Sequence, residues 1–243
     1  MSLLANLTSD DSIANEKDSI GGGGVLESGL YSAKVTLAYV TKSTGGATGL
    51  VVKAKTEQGR DINQTLWMTS GTAKGAKNYY EKDGVKNYLP GYIAANALAL
   101  LGAGKEISQL DTETKVVNVY SFDAKAEIPT KVEMVMDLVG KEIIIGLIKQ
   151  TVDKNVKNDA GVYVPSGETR DENEIDKFFR ASDKMTTAEI RGAANDPVFY
   201  SQWETKWAGQ VRNKAKGATG TAGAPKGMAV GGGSKKPTTS LFA

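Results

Sequence analysis

The chain has 243 residues, of which 40% are hydrophobic and 24% charged, with a formal net charge of +2. That is the make-up of an ordinary soluble globular protein, either one domain with extensions or one large domain. Cysteine and histidine are both absent, which excludes disulfides, thiolate chemistry, Ser–His and Cys–His nucleophile pairs and the common His/Cys zinc sites.

No apolar run reaches the roughly 18 residues of a membrane helix. The first residues lack the basic-then-apolar order of a secretory signal. A protein without membrane attachment is therefore expected. Residues 1–24 are polar and end in Gly21-Gly22-Gly23-Gly24, which reads as a mobile arm and linker.

Three strands follow. In residues 30–42, Ala33, Val35, Leu37 and Tyr39 alternate with Lys34, Thr36 and Ala38. In 50–56, Leu50, Val52 and Ala54 alternate with Val51, Lys53 and Lys55. In 61–69, Ile62, Leu66 and Met68 alternate with Asn63, Thr65 and Trp67. Period two is the mark of a half-buried strand. The short break Gln58-Gly59-Arg60 favours a hairpin between the last two.

Residues 70–91 read as a long polar connection containing Lys74, Lys77, Tyr79, Tyr80, Lys82, Lys86 and Tyr88. A helix is expected over 90–101, with Ile93, Ala97, Leu100 and Leu101 on one face and Gly102 as its stop. Val132, Val135, Met136 and Val139 suggest a second short helix ending at Gly140. Residues 142–153 read as a buried strand, because Ile143-Ile144-Ile145 is β-branched. A segment near 161–165 is placed to pair with it. Thr186 and Glu189 form a capping box, with Met185 and Ile190 as its staple. Asp196-Pro197 starts a last helix carrying Phe199, Trp203 and Trp207. An aromatic row at helical spacing is usually a packing face.

Three strands, a helix, then more strands suit a mainly β fold with helices, as an OB-like five-stranded barrel. An antiparallel sheet with packed helices is the looser alternative. The expected organisation is an arm (1–24), a core (25–180), a helical extension packing on it (181–216) and a Gly/Lys-rich tail without structure (217–243).

Charge is uneven along this layout. Residues 205–243 hold seven basic residues and no acid, leaving 23 basic and 28 acidic residues in the other 204, a net of −5. The basic end either meets an anionic partner or serves only solubility.

Two constellations suggest an unpaired nucleic acid as that anion. Trp67 stands on the polar face of its strand, with Lys53 and Lys55 on the polar face of the neighbouring one. Aromatics that stack on bases beside lysines that track phosphates are the means of single-strand binding. The competing reading is that the 70–91 connection covers Trp67. In that connection Lys74, Lys77, Tyr79, Tyr80 and Tyr88 offer the same mixture, against a solvated loop packed on the barrel.

Other motifs fail. Residues 71–77 read G-T-A-K-G-A-K, without the Gly-Lys-Ser/Thr ending of a phosphate loop. Asp153, Asn155, Lys157 and Asp159 have calcium-loop spacing, but a lysine occupies a ligand position. The acidic run Glu168, Asp171, Glu172, Glu174, Asp176 reads as a solvated face. No metal, cofactor or catalytic cluster is expected.

The segments LWMTSGTAKGAKNYYEKDGVKNYLPGY, GKEIIIGLIKQTVDKN, SGETRDENEIDKFF and KMTTAEIRG resemble those of single-stranded DNA-binding proteins of tailed bacteriophages. The resemblance spans roughly residues 26–216. It implies an OB-fold core, a non-enzymatic role coating DNA in phage replication and recombination in the host cytoplasm, and bases stacked on barrel aromatics. The matching positions are Trp67, Tyr79, Tyr80 and Tyr88, with Lys74 and Lys77. The implied partner is single-stranded DNA. The end of the chain has two open readings, a basic tail that adds non-specific phosphate contacts or an apolar tip, Leu241-Phe242, that docks on phage replication proteins, and a homo-oligomer is also left open. The basic tail departs from the acidic tail of many such proteins. A strand-annealing protein and a scaffold protein without a nucleic-acid role are the alternatives.

Overall fold

The computed structural model describes residues 24–121, 124–159 and 163–216. The arm, the 217–243 tail and the tip Leu241-Phe242 lie outside them, save for Gly24.

The alternating segments form β1 (Gly29–Lys42), β2 (Thr48–Thr56) and β3 (Asp61–Trp67), paired antiparallel in chain order. One face carries Val35, Leu50, Val52, Ala54, Ile62 and Leu66 into the main core. The 70–91 connection is more ordered than its composition suggests. It holds a 3-10 turn and a two-stranded hairpin, β4 (Tyr79–Lys82) and β5 (Val85–Tyr88), which forms a sheet of its own. α1 (Pro90–Ala103) follows and lies on the core through Ala95, Leu98 and Leu101. It ends at Gly104, in the left-handed region at φ 72°, and not at Gly102. The buried stripe is also rotated from the expected one, leaving Ile93 49% exposed. An almost uniformly apolar helix does not announce which side will be covered.

Next come β6 (Glu113–Ser121) and β7 (Ala126–Met134), a hairpin that the sequence reading did not assign. The short helix expected over 132–139 is instead the end of β7 and a 3-10 turn at Met136–Leu138. Pairing overrides the helical spacing: Tyr39 and Val40 of β1 pair with Met134 and Glu133. Val132 and Met134 then pack on Tyr39 and Val51, forming a second core outside the sheet. Burial raises the Tyr39 hydroxyl pKa above the ordinary tyrosine range.

β8 (Glu142–Lys157) and β9 (Tyr163–Arg180) are a long antiparallel pair. β8 is apolar on both faces, as expected for a run of isoleucines. Ile143, Ile145 and Leu147 enter the main core, while Ile144 and Ile148 face outward. The acidic run lies within β9. A capping box at Thr186 opens α2 (Thr187–Arg191), with Thr186 Oγ1 accepting from the Glu189 N–H at 3.2 Å and Glu189 Oε2 accepting from the Thr186 N–H at 2.9 Å. α3 (Val198–Trp207) starts after Pro197 without a side-chain cap, so Asp196 does not play that part.

The aromatic row on α3 covers the outward apolar face of β8 and β9. Trp203 is only 2% exposed and packs on Ile144, Ile148 and Phe179. β10 (Val211–Asn213) then runs parallel to β8. It carries Arg212, which bonds Glu174 at 2.7 Å and Gln150 at 2.9 Å, beside Lys214, which reaches Glu174 at 2.6 Å. Two residues of the basic end thus meet carboxylates of the chain's own acidic strand.

The fold is mainly β: ten strands and three α-helices among the described residues. β3-β2-β1-β8 continue one another and β9 lies beyond β8. The ladder does not close between β3 and β9. A side chain spans that seam instead: Gln64 Oε1 accepts from the Ile175 N–H at 2.6 Å, while Asn173 of β9 exchanges two 2.8 Å bonds with the backbone of Leu26, ahead of β1. An amide side chain there takes the bond that a neighbouring strand would otherwise make.

The start of α1 lies against β3 with no room to spare. A Cβ on Gly91 would sit 2.2 Å from the Trp67 carbonyl oxygen and 2.7 Å from its nitrogen. Backbone cannot yield as a side-chain tip can. Gly91→Ala is expected to destabilise the protein by roughly 1–3 kcal/mol through overpacking, read as a lowered melting temperature by circular dichroism. An unchanged melting curve would contradict this packing.

Candidate nucleic-acid interface

Trp67 is the last residue of β3 and points away from the main core. It pairs with Gly49 of β2, where an added Cβ would lie 2.8 Å from the indole. Gly49 therefore lets the ring lie against the β2 backbone, leaving the indole 43% exposed.

Beside it opens a cleft of about 730 Å³, bounded by β3, residues 69–74, the start of α1 and Glu174–Asp176 of β9. Its floor is the unclosed seam between β3 and β9. Trp67 and Lys74 both line it. The 70–77 segment is tied to the β1–β2 turn, where the Thr72 N–H donates to the Gly45 carbonyl at 2.8 Å, and is closed on itself, where the Ser70 N–H donates to the Lys77 carbonyl at 2.8 Å. Only glycine fits at position 71, where a Cβ would lie 2.7 Å from the Gly45 oxygen. Trp67 is thus not covered by the connection, the alternative its sequence context allowed.

The β4–β5 hairpin leads directly from this segment to α1. Tyr79 pairs with Tyr88 across it, and Tyr80 with Asn87. Cross-strand partners share a face and successive residues alternate, so Tyr79 and Tyr88 stand on one side and Tyr80 on the other. Lys77 and Lys86 place their ammonium groups 5.6 and 5.1 Å from the Tyr79 ring centre. This is cation–π geometry, and it holds two cations beside one ring. Tyr88 leans on Tyr92 of α1, ring centres 4.9 Å apart. Tyr80 and Tyr88 are 47% and 57% exposed.

Lys53 and Lys55 are on the same outer face as Trp67, as the alternation requires. They are nevertheless set apart from it. Four residues of strand separate Gly49 from Lys53, roughly 13 Å. Between them Val51 is buried under Val132 and Met134 of the β7 hairpin. Lys55 is also paired with Asp61 at 3.2 Å. Trp67 and Lys74 share the cleft. Lys77, Tyr79 and Tyr88 lie along the segment and hairpin that lead from it to α1, Tyr80 stands on the hairpin's other side, and Lys53 and Lys55 lie apart from the cleft.

Sequence reasoning missed Tyr92, which supports Tyr88 from another element, and the glycines at 49 and 91, whose role is visible only once strand register is known. On the far side of the cleft, Asp176 accepts from the Trp203 indole N–H at 2.8 Å and pairs with Arg212 at 3.5 Å. These carboxylates are occupied by their own neighbours. Among the described residues no group of carboxylates is arranged to hold a metal ion, and no helix is long and apolar enough to cross a membrane. No known protein-family model matches the chain, and no curated protein matches it.

Proposed function

We propose that this chain binds single-stranded DNA without sequence preference, as a non-enzymatic coat in phage replication and recombination. The observation that carries the reading is the half-exposed indole of Trp67 at an open cleft, continuous with a hairpin of lysines and exposed tyrosines. Aromatic faces stack on any base, and lysines neutralise phosphates without reading sequence. Lys74, Lys77, Lys82 and Lys86 outnumber Glu81 and Asp83 over residues 74–86, so the region carries net positive charge where a phosphate chain would run. The strand order supports the same reading. The order β3-β2-β1-β8-β9, with α1 following β3, is compatible with an OB-type barrel whose strands stay unpaired at one seam. The proposed setting is the host cytoplasm.

Titration with dT oligomers at two salt concentrations tests this. Trp203 is buried and Trp207 half-buried, so quenching of tryptophan emission is expected to come mainly from Trp67. The logarithm of the affinity should fall linearly with that of salt, by about 0.7 for each phosphate neutralised. No quenching and no mobility shift at low salt would refute the proposal.

A further inference from the structure

We infer that the outer edge of β6 is a self-association surface, and that its occupant is the same edge of a second copy of this chain. This does not rest on the DNA-binding reading.

β6 has nine residues, Glu113–Ser121, and pairs only with β7 among the described strands. Along residues 116–119 the other side of the strand has no described strand beside it. Natural sheets blunt such edges with charge, proline, bulges or shortness. The other free edges here follow that rule. β4 and β5 are four residues each, and β10 is three. β9 carries Pro165, a dense acidic run and register shifts against β8. The edge of β3 faces the cleft, where Gln64 bridges to β9.

β6 uses none of these devices from Val116 on. Val116, Val117, Asn118 and Val119 follow one another with neither charge nor proline, and the β6–β7 register runs without a bulge. Val116 is 62% exposed, and Ile128, opposite Val119, is 41% exposed. β-branched residues on an open edge favour a further strand.

Charge identifies the occupant. Lys115 is the only charged residue from 114 to 121, and it is already paired with Glu113 at 2.8 Å. A phosphate chain finds no free cation on the strand. A second β6 meets no obstacle. In antiparallel pairing centred anywhere from Val116 to Asn118, Lys115 faces an uncharged residue of the other copy. Such a contact is two-fold symmetric and closed, so it yields a dimer, with strand order β7-β6-β6-β7, and not an open filament.

The test uses the full chain and a charge-swapped pair of variants. In one, Val116→Lys and Asn118→Lys are combined; in the other, Val116→Glu and Asn118→Glu. With the axis at Val117 these exposed positions face each other, and with the axis at Val116 or Asn118 one of them faces its own copy. Light scattering after size exclusion is run from about 1 to about 100 µM, a range that resolves micromolar affinities, with circular dichroism confirming that each variant is folded. The wild type is expected to be dimeric at the upper end, each folded variant alone monomeric, and their mixture a one-to-one heterodimer. A wild type that stays monomeric throughout overturns the inference. So do folded variants that remain dimeric, which would place the contact elsewhere. A mixture that fails to pair also overturns it.

Discussion

Trp203→Ala is expected to lower folding stability by roughly 3–5 kcal/mol, the cost of emptying a fully packed aromatic site. Trp203 is 2% exposed and closes a cluster with Ile144, Ile148 and Phe179. Its ring meets Phe179 edge-on, centres 6.4 Å apart at 75°. The fit extends to backbone, since a Cβ on Gly146 would stand 3.0 Å from the indole. The truncation also strips Asp176 of its indole donor at 2.8 Å. Loss of a buried donor adds to the loss of contact area. Urea unfolding measures the effect as a lower midpoint at unchanged slope. Trp207→Ala, at the half-buried end of the same helix, is the control and should cost less. A Trp203→Ala loss below about 1 kcal/mol would show that the surroundings refill the site and that α3 is not held by this residue.

The second large effect is on binding. Trp67→Ala is expected to weaken affinity for dT oligomers about 5- to 150-fold, matching the roughly 1–3 kcal/mol of one base–aromatic stack. Stability should change little by comparison, because Trp67 is 43% exposed and its ring lies against the glycine at position 49. Most of the fluorescence quenching should disappear with it. Lys53→Ala and Lys55→Ala serve as internal controls. Both lie beyond the buried Val51, so their effect is expected to be small. Unaltered affinity in Trp67→Ala, with strong losses in Tyr80→Ala and Tyr88→Ala, would move the stacking platform from the cleft to the hairpin. A large loss in Lys53→Ala would mean that bound DNA crosses the β7 hairpin, contrary to the geometry proposed.

The two tryptophans show where local pattern stops being informative. Both are aromatics in amphipathic elements. Trp67 interrupts the polar face of a strand, and an indole on a wet face is anomalous by itself. Trp203 belongs to a periodic helical row, so its burial follows from spacing. In contrast, Val132, Val135, Met136 and Val139 resembled a helical repeat because they stand three and four apart. Only the pairing of Glu133 and Met134 with β1 decided that the chain up to Met134 is strand. β6 was invisible for a related reason. Its alternation is weak, since Val116, Val117 and Val119 include neighbours on opposite faces, and a projecting hairpin buries too little to impose a clear pattern.

By itself, then, the sequence determined the elements whose burial or capping is legible within one local run of residues. These are β1 to β3, the doubly buried β8, the capped start of α2 and the docking row of α3. It also determined the chemistry on hand, aromatics and lysines without histidine or cysteine. Only the tertiary structure decided which of those aromatics and lysines are neighbours. The β7 hairpin separates Lys53 and Lys55 from Trp67. The 70–77 segment, bolted to the β1–β2 turn, leaves Trp67 uncovered, and β10 brings Arg212 and Lys214 onto the acidic strand. The physical reason is common to all three. Periodicity records which side of an element is dry, whereas proximity across elements depends on long-range register, which no local run of residues encodes.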